Sequence, residues 1–251
     1  MKIATWNVNG IRAREAQLCD WLERDRPDVV CLQEIKARPD QIPERCKLAD
    51  YHVFWHGGGG GYSGVSLHLR RELLEVPEFS HPEFDIETRI VQVALGHLVL
   101  ASVYVPNGGK DYAAKIAFLT GLAAWSEQLH EEGRELILCG DINVARADID
   151  VHPKERKADV IGQRPEERKL FQTLLDSHLV DVTRALDPDN PGLFTWWPPW
   201  RNMRQRNIGW RIDYILASPA IAEGATRCAV LADIGTSDHA PIMMTTEWGP
   251  R

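Results

Sequence analysis

Short apolar runs rich in β-branched residues recur along the chain, and most run directly into a polar cluster. Lys2–Trp6 runs into Asn7-Val8-Asn9-Gly10, Asp28–Leu32 into Gln33-Glu34, Leu98–Val105 into Pro106-Asn107, and Glu135–Cys139 into Gly140-Asp141-Ile142-Asn143. Ile212–Leu216 carries Asp213 at its start, and Ile242–Thr246 follows Ser237-Asp238-His239. Runs of about four to eight such residues predict buried strands. Between them the spacing changes to three and four. Arg14–Arg24 puts Leu18, Trp21 and Leu22 on one face, and Ala113–Glu131 does the same with Ile116, Leu119, Leu122, Trp125 and Leu129. Pro165–Ser177 opens on Pro-Glu-Glu, which suits a helix dipole, and aligns Leu170, Phe171, Leu174 and Leu175.

Strands and helices alternate throughout, with no linker-like stretch and no sequence repeat. The glycine run Gly57–Gly61 reads as a hairpin tip, because strand-like residues resume at Val65–Leu69. It is not a phosphate-binding Walker loop, since no Gly-Lys-Ser/Thr follows. One α/β domain over residues 1–251, with two packed sheets and outer helices, is the economical expectation.

Composition narrows the class. The chain of 251 residues is 44% hydrophobic and 26% charged, as in an ordinary globular protein. Its five cysteines (Cys19, Cys31, Cys46, Cys139, Cys228) form no CxxC pair and read as reduced thiols. The N-terminus turns polar too early for a signal peptide, and no apolar run reaches the ~18 residues of a membrane span. A cytoplasmic protein is expected. The net charge of −7 is the wrong sign for bulk attraction to a polyanion, so such a partner would need a local basic surface or a bound cation.

The polar strand ends are where α/β proteins place their sites. The gathered set is Asn7, Asn9, Glu34, Tyr104, Asn107, Asp141, Asn143, Asp213, Asp238 and His239. It is rich in oxygen donors and lacks cysteine, which favours Mg²⁺ or Mn²⁺ over Zn²⁺. Each member has a plainer reading alone: a surface glutamate, a turn aspartate, a loop histidine or a core tyrosine. The recurrence of the same strand-then-polar arrangement weakens those readings together.

The residues also carry a family resemblance. Lys2–Gly10, Cys31–Lys36, Gly61–Val65, Tyr104–Asn107, Gly140–Val144, Pro165–Arg168, Trp210–Tyr214 and Thr236–Pro241 appear in order, nearly end to end. Together they resemble the exonuclease III group of abasic-site endonucleases, within the endonuclease/exonuclease/phosphatase superfamily. The resemblance implies a four-layered α/β sandwich of two packed mixed sheets flanked by helices. It implies Mg²⁺-dependent hydrolysis of duplex DNA 5′ to abasic sites, with 3′→5′ exonuclease and 3′-phosphatase activity, Mn²⁺ able to substitute, and a monomer without an obligate partner. By position, Glu34 would be the principal metal ligand, with Asn9 and Asp238 nearby and Asn7, Asp141 and Asn143 also counted in the metal set. Asn9 stands where some relatives carry aspartate and brings no charge. Asn7, Asp141 and Asn143 would orient phosphate and water, Tyr104 would reach the phosphate, and His239 would pair with Asp213. Arg89 and Tyr62 match phosphate-contacting positions, while Trp196, Trp210 and Ile212 would line an abasic-sugar pocket and Trp200 would probe the DNA groove.

A basic surface is visible as well. Trp196–Arg211 holds Arg201, Arg204, Arg206 and Arg211, four of the nine tryptophans and no acid. Interleaved arginine and tryptophan suit unstacked nucleic acid, although Trp197 reads better as core. Lys110 and Lys154-Glu155-Arg156-Lys157 are lesser contributors. Enzymes on slow phosphate chemistry supply on the order of 20 kcal/mol, whereas one general base is worth about 10²–10⁴-fold. The His239–Asp213 pair therefore needs electrostatic help from a cation on Glu34. Either Asp141 or His239 could take the proton of the attacking water; an imidazole beside a carboxylate suits a donor better, which points to Asp141. Superfamily relatives cut inositol phosphates, sphingomyelin or poly(A); the Trp/Arg loop disfavours a lipid substrate, and a non-catalytic DNA-binding module has no need of so complete a hydrolytic set.

Overall fold

Strands whose successive residues are all apolar need cover on both faces, and the architecture supplies it. The computed structural model describes residues 1–57 and 61–248; positions 58–60 of the glycine run lie outside the described residues. Its strands are β1 (Lys2–Asn7), β2 (Val29–Gln33), β3 (Tyr51–His56), β4 (Val65–Arg70), β5 (Phe79–Ser80), β6 (Ile90–Leu95), β7 (Leu98–Tyr104), β8 (Glu135–Asp141), β9 (Val180–Asp181), β10 (Asp213–Ala217), β11 (Ala225–Val230) and β12 (Ile242–Thr246). The helices are α1 (Ile11–Asp25), α2 (Tyr112–Glu131), α3 (Pro165–Asp176), α4 (Val182–Leu186) and α5 (Pro219–Glu223). The three helices and seven strands expected from periodicity are all present. The strands β3, β5, β6, β9 and β11 are additions.

The strands form two mixed sheets of six, ordered β11-β12-β1-β2-β4-β3 and β5-β6-β7-β8-β10-β9. Each holds one parallel pair, β1 with β2 and β7 with β8, and its other pairings are antiparallel. Helix α1 makes the first parallel crossover and α2 the second, so both sheets repeat one strand pattern without a matching sequence repeat. Alternate residues then divide between the layers. Ile3, Val29, Cys31, Leu98, Leu100, Ile137 and Cys139 point into the core between the sheets. Ala4, Trp6, Val30 and Leu32 pack outward on α1 with Leu18, Trp21 and Leu22. Val99, Ala101, Leu136 and Leu138 face α2 and α3 through Leu119, Leu122, Phe171 and Leu174. The result is the four-layered α/β sandwich that the resemblance implies.

This register fixes where polar strand ends meet. On the second sheet Tyr104 lies opposite Asp141, and Asp141 opposite Asp213. On the first, Asn7 lies opposite Gln33, one residue before Glu34. Gly140 is required beside Asp141: at φ 146° a Cβ there would stand 2.0 Å from the Val103 carbonyl oxygen.

Candidate active site

The polar ends of both sheets open onto one cavity of about 360 Å³. It is lined by Asn9, Glu34, Tyr104, Asn107, Asp141, Asn143, Trp196, Trp210, Ile212, Asp238 and His239, together with Gly109 and Ile161. Eleven of the residues singled out from sequence thus share one wall system. Asn7 and Asp213 are buried behind it and act through their neighbours.

Local backbone turns aim the side chains. Asn9, Glu34 and Asn143 all adopt left-handed φ (45°, 55° and 55°) immediately after their strands. Asparagine tolerates this region and glutamate does so at some cost, which marks Glu34 as a strained position at a functional edge. The chain beyond β1 and β2 stays zipped by Val8 N–H to Gln33 O (3.0 Å) and Gly10 N–H to Glu34 O (2.8 Å). Asp141 is held from both sides. Its Oδ2 accepts from Asn7 Nδ2 (2.9 Å) and its Oδ1 from the Asn143 amide (2.8 Å), while Asn143 Nδ2 donates to Val105 O (2.9 Å).

His239 hangs between carboxylates. Its Nδ1 lies 2.9 and 3.1 Å from the two Asp213 oxygens, and its Nε2 is 3.9 Å from Asp141 Oδ2, too far for a direct hydrogen bond. Burial disfavours the imidazolium, but Asp213, Asp141 and Asp238 outweigh it and raise the histidine pKa to about 10. Burial, reinforced by Asp213, raises Asp141 to about 7, against the pull of His239 and Asn7. The pair is therefore a cationic donor facing a carboxyl that titrates near neutrality. Burial, then Glu34 and Asp141, push the Tyr104 phenol well above its usual value, which keeps it a hydrogen-bond donor.

A second cluster of oxygens surrounds a positive charge. Lys36 Nζ lies 2.7 Å from Glu34 Oε1 and 2.7 Å from Asn9 Oδ1, while Asn9 Nδ2 donates to Asp238 Oδ1 (2.7 Å). Turning the Asn9 amide over would set its oxygen against a carboxylate and its NH₂ against an ammonium, so this network orients it. The other Asp238 oxygen accepts from Trp196 Nε1 (3.0 Å). Burial alone would raise the Asp238 pKa, but His239, Asn9 and Trp196 hold it below the usual carboxylate range. Glu34 Oε1 and Asn9 Oδ1 thus converge on one ammonium, and an all-oxygen set of this kind fits a hard divalent ion.

The architecture is matched by comparison with known proteins. A family profile described as the Endonuclease/Exonuclease/phosphatase family matches residues 4–239. The chain belongs to this family. It is 33% identical over 251 residues to the exodeoxyribonuclease of Bacillus subtilis, covering 96% of this chain and 98% of that one. It is 34% identical over 261 residues to the DNA repair nuclease APEX1 of Danio rerio, covering 97% and 81%. Among solved structures, a 3′ phosphatase from Neisseria bound to a product DNA hairpin superposes with a TM-score of 0.89 at 31% identity, covering 99% of this chain and 100% of that one. An AP endonuclease from Archaeoglobus fulgidus gives 0.87 at 30%, with the same coverage. The chain is accordingly a member of a hydrolase family of nucleases and phosphatases.

The expected DNA-facing residues need correction in part. Arg89 is buried, 1% exposed. Its guanidinium is used by Glu87 (2.8 and 3.1 Å), Tyr104 O (3.3 Å) and Tyr62 Oη (2.9 Å), and so is not free for a phosphate. Tyr62 is half exposed and borders a neighbouring pocket with Lys110 and Asn107. In the Trp/Arg segment, Arg211 is fully buried between Asp150 (2.8 Å) and Asp181 (2.7 and 2.9 Å). Arg204 lies over the Trp197 ring and donates to the carbonyls of Ala232, Ile234 and Ser237. Both are structural, because buried carboxylates and free carbonyls claim them first. Trp197 is core, as its sequence context suggests; Trp200 is 56% exposed and Arg201 and Arg206 lie open beside it. All five cysteines are free thiols.

Sequence reasoning missed Lys36, Ile161, and the buried pair Lys115–Glu167. Lys115 Nζ donates to Asn143 O (2.8 Å) and Asn107 O (3.4 Å). Glu167, on the first turn of α3, accepts from the Gly162 and Arg164 amides (2.7 and 3.1 Å). Lys36 and Glu167 fall inside the motif blocks Cys31–Lys36 and Pro165–Arg168, and Glu167 stands at the third position of a helix, the position that reaches back to the cap.

Proposed function

We propose that the chain hydrolyses the backbone of duplex DNA 5′ to abasic sites, and that the same cavity processes 3′ ends. The observation that carries this reading is the shape of one cavity. Tyr104, Asp141, Asn143 and His239 form its polar wall, and Trp196, Trp210 and Ile212 form an apolar wall beside them. A flipped sugar without its base suits such an apolar recess. The Trp210 indole N–H is buried and has no partner among the described residues.

Glu34, Asn9 and Asp238 would hold Mg²⁺, with Mn²⁺ able to replace it. A divalent ion there supplies charge neutralisation at a phosphate oxygen or at the leaving 3′-oxygen. The protein's own groups do the remainder. His239 Nε2, protonated, donates to a non-bridging phosphate oxygen, and Asp213 holds the ring in that orientation. Asp141 accepts a proton from the water whose oxygen attacks phosphorus as the bond to the 3′-oxygen breaks. Asn7 and Asn143 fix the Asp141 carboxylate, and the Tyr104 hydroxyl donates to the phosphate. Trp200 and Arg201 contact the DNA outside the cavity. No helix among the described residues is long and apolar enough to cross a membrane. With five free thiols, the reading extends to a monomer acting at the nucleoid in a reducing cytoplasm.

A duplex carrying one abasic-site analogue tests the reading. Incision 5′ to the lesion with Mg²⁺, abolished by EDTA, is expected. An intact duplex alongside hydrolysis of an inositol phosphate or of poly(A) would overturn it.

A further inference from the structure

Strand β3 ends at His56, against the segment between β5 and β6 that carries His81 and Asp85. We propose that His56, His81 and Asp85 form a second cation site, suited to a borderline transition metal such as Zn²⁺. One ligand atom from each of the three lies within 4.8 Å of the other two. Asp85 Oδ2 is 2.6 Å from His56 Nε2 and 4.0 Å from His81 Nδ1. The other oxygen, Oδ1, accepts from the amides of Arg89 (2.8 Å) and Ile90 (3.2 Å), so the carboxylate is fixed before any ion arrives.

A hydrogen-bonded His56–Asp85 pair accounts for the short contact alone. It leaves unexplained a second imidazole stacked on the first, centroids 4.8 Å apart and planes 16° apart, with its own nitrogen turned to the same oxygen. Three atoms each bonded at about 2.0–2.2 Å to one tetrahedral ion stand about 3.4 Å from one another. Separations of 2.6 and 4.0 Å bracket that value and the third lies within 4.8 Å, so shifts on the order of 1 Å would close the site. The Asp85 side chain is 6% exposed and that of His56 15%, while His81 is 53% exposed and leaves a solvent-side approach and room for a water as fourth ligand.

Ligand type separates this site from the one at Glu34. Two imidazoles and one carboxylate select Zn²⁺, Ni²⁺ or Co²⁺, whereas the all-oxygen set takes a hard ion. Occupation would bind the end of β3 to the loop that carries Arg89, whose guanidinium contacts Tyr62 and Tyr104. The site therefore acts as a structural clamp behind one wall of the cavity.

The test uses the full chain, stripped by chelator and held in excess Mg²⁺ so that the oxygen site is taken. Co²⁺ is titrated with visible absorption as readout, and Zn²⁺ by calorimetry with the melting temperature followed. One equivalent bound, with the intense bands of a four-coordinate ion and a raised melting temperature, is expected. His81→Ala, at a half-exposed position that leaves the fold intact, should weaken binding more than about tenfold. His56→Ala should do the same, and Glu34→Gln should not. Magnesium-dependent incision by His81→Ala should stay within about twofold of the parent. Unchanged Co²⁺ binding in both histidine variants, loss of binding in Glu34→Gln, or no binding below millimolar Zn²⁺ would each overturn the proposal.

Discussion

Lys115 tests whether a buried ion pair sets the position of the loops around the cavity. Its ammonium and the Glu167 carboxylate are both fully buried. Burial pushes the lysine pKa down and Glu167 pulls it back, as expected of a charge kept only by its partner. Lys115→Met leaves Glu167 charged in an apolar site with two amide donors, and leaves the Asn143 carbonyl without its donor. Breaking a buried pair from one side costs about 3–5 kcal/mol. The lost carbonyl bond belongs to the same network and is not added separately. For a urea slope of about 3 kcal/mol per molar, the unfolding midpoint should fall by about 1–1.7 M at unchanged slope.

The double variant Lys115→Met, Glu167→Gln separates charge from tether. The amide still accepts from the Gly162 and Arg164 amides but no longer leaves an unpaired charge, so at least about 2 kcal/mol should return. Incision should stay low in both variants, because the Asn107 and Asn143 loops remain untied. A single-variant midpoint within about 0.3 M of the parent, roughly 1 kcal/mol at that slope, would refute the reasoning. A further fall in the double variant would refute it equally.

Three other outcomes follow from the geometry. Asp213→Asn removes the charge that sustains the His239 imidazolium and should lower kcat by about 10²–10⁴-fold with little change in KM; steady-state kinetics on an abasic duplex decide it, and an unchanged kcat contradicts the assignment. For Asp150, burial works to raise the pKa, but Arg211 and Arg184 prevail and hold it below the unfolded value of about 3.9. Its stabilisation is thus complete above that pH and lost as the pH falls through the folded pKa; in urea unfolding, the deficit of Asp150→Asn should shrink below about pH 4, and a deficit constant from pH 7 to 3 would count against the pairing. Arg201→Ala should lower the salt slope of DNA binding by about 1 with stability unchanged, while Arg204→Ala should lower stability; a drop in slope confined to Arg204→Ala would reverse their roles.

The inner frame was legible because it obeys a single physical rule. Strands covered on both faces must be continuously apolar, so β1, β2, β7, β8 and β10 announce themselves, as do the polar residues that end them. Strands β3 and β11 lie at the edges of the first sheet and are only half covered. A sequence such as Ala225-Thr226-Arg227-Cys228 answers to solvent as much as to core, and its pattern blurs. The site divides along the same line. Glu34, Asp141 and His239 are fixed by the strand or bridge beside them, so their gathering follows from the topology. Lys36, Lys115 and Glu167 matter through what their side-chain tips touch, and composition carries no trace of that.

The arginines show the converse error. Trp196–Arg211 looks like a four-charge grip, yet Arg211 is claimed by Asp150 and Asp181, 61 and 30 residues away, and Arg204 by three backbone carbonyls. Counting charge along a chain cannot see partners that only the fold supplies. With Arg89 also enclosed, the open cations of these segments are Arg201, Arg206 and Lys110, with Lys154, Arg156 and Lys157 exposed as well, on a chain of net charge −7. On the proposed reading, long-range attraction to DNA would be modest, and recognition would fall mainly to a cation held at Glu34 and to what the Trp196, Trp210 and Ile212 wall accepts. A binding surface so lightly charged would distinguish lesions by fit, because little non-specific affinity would remain to hold it on undamaged duplex.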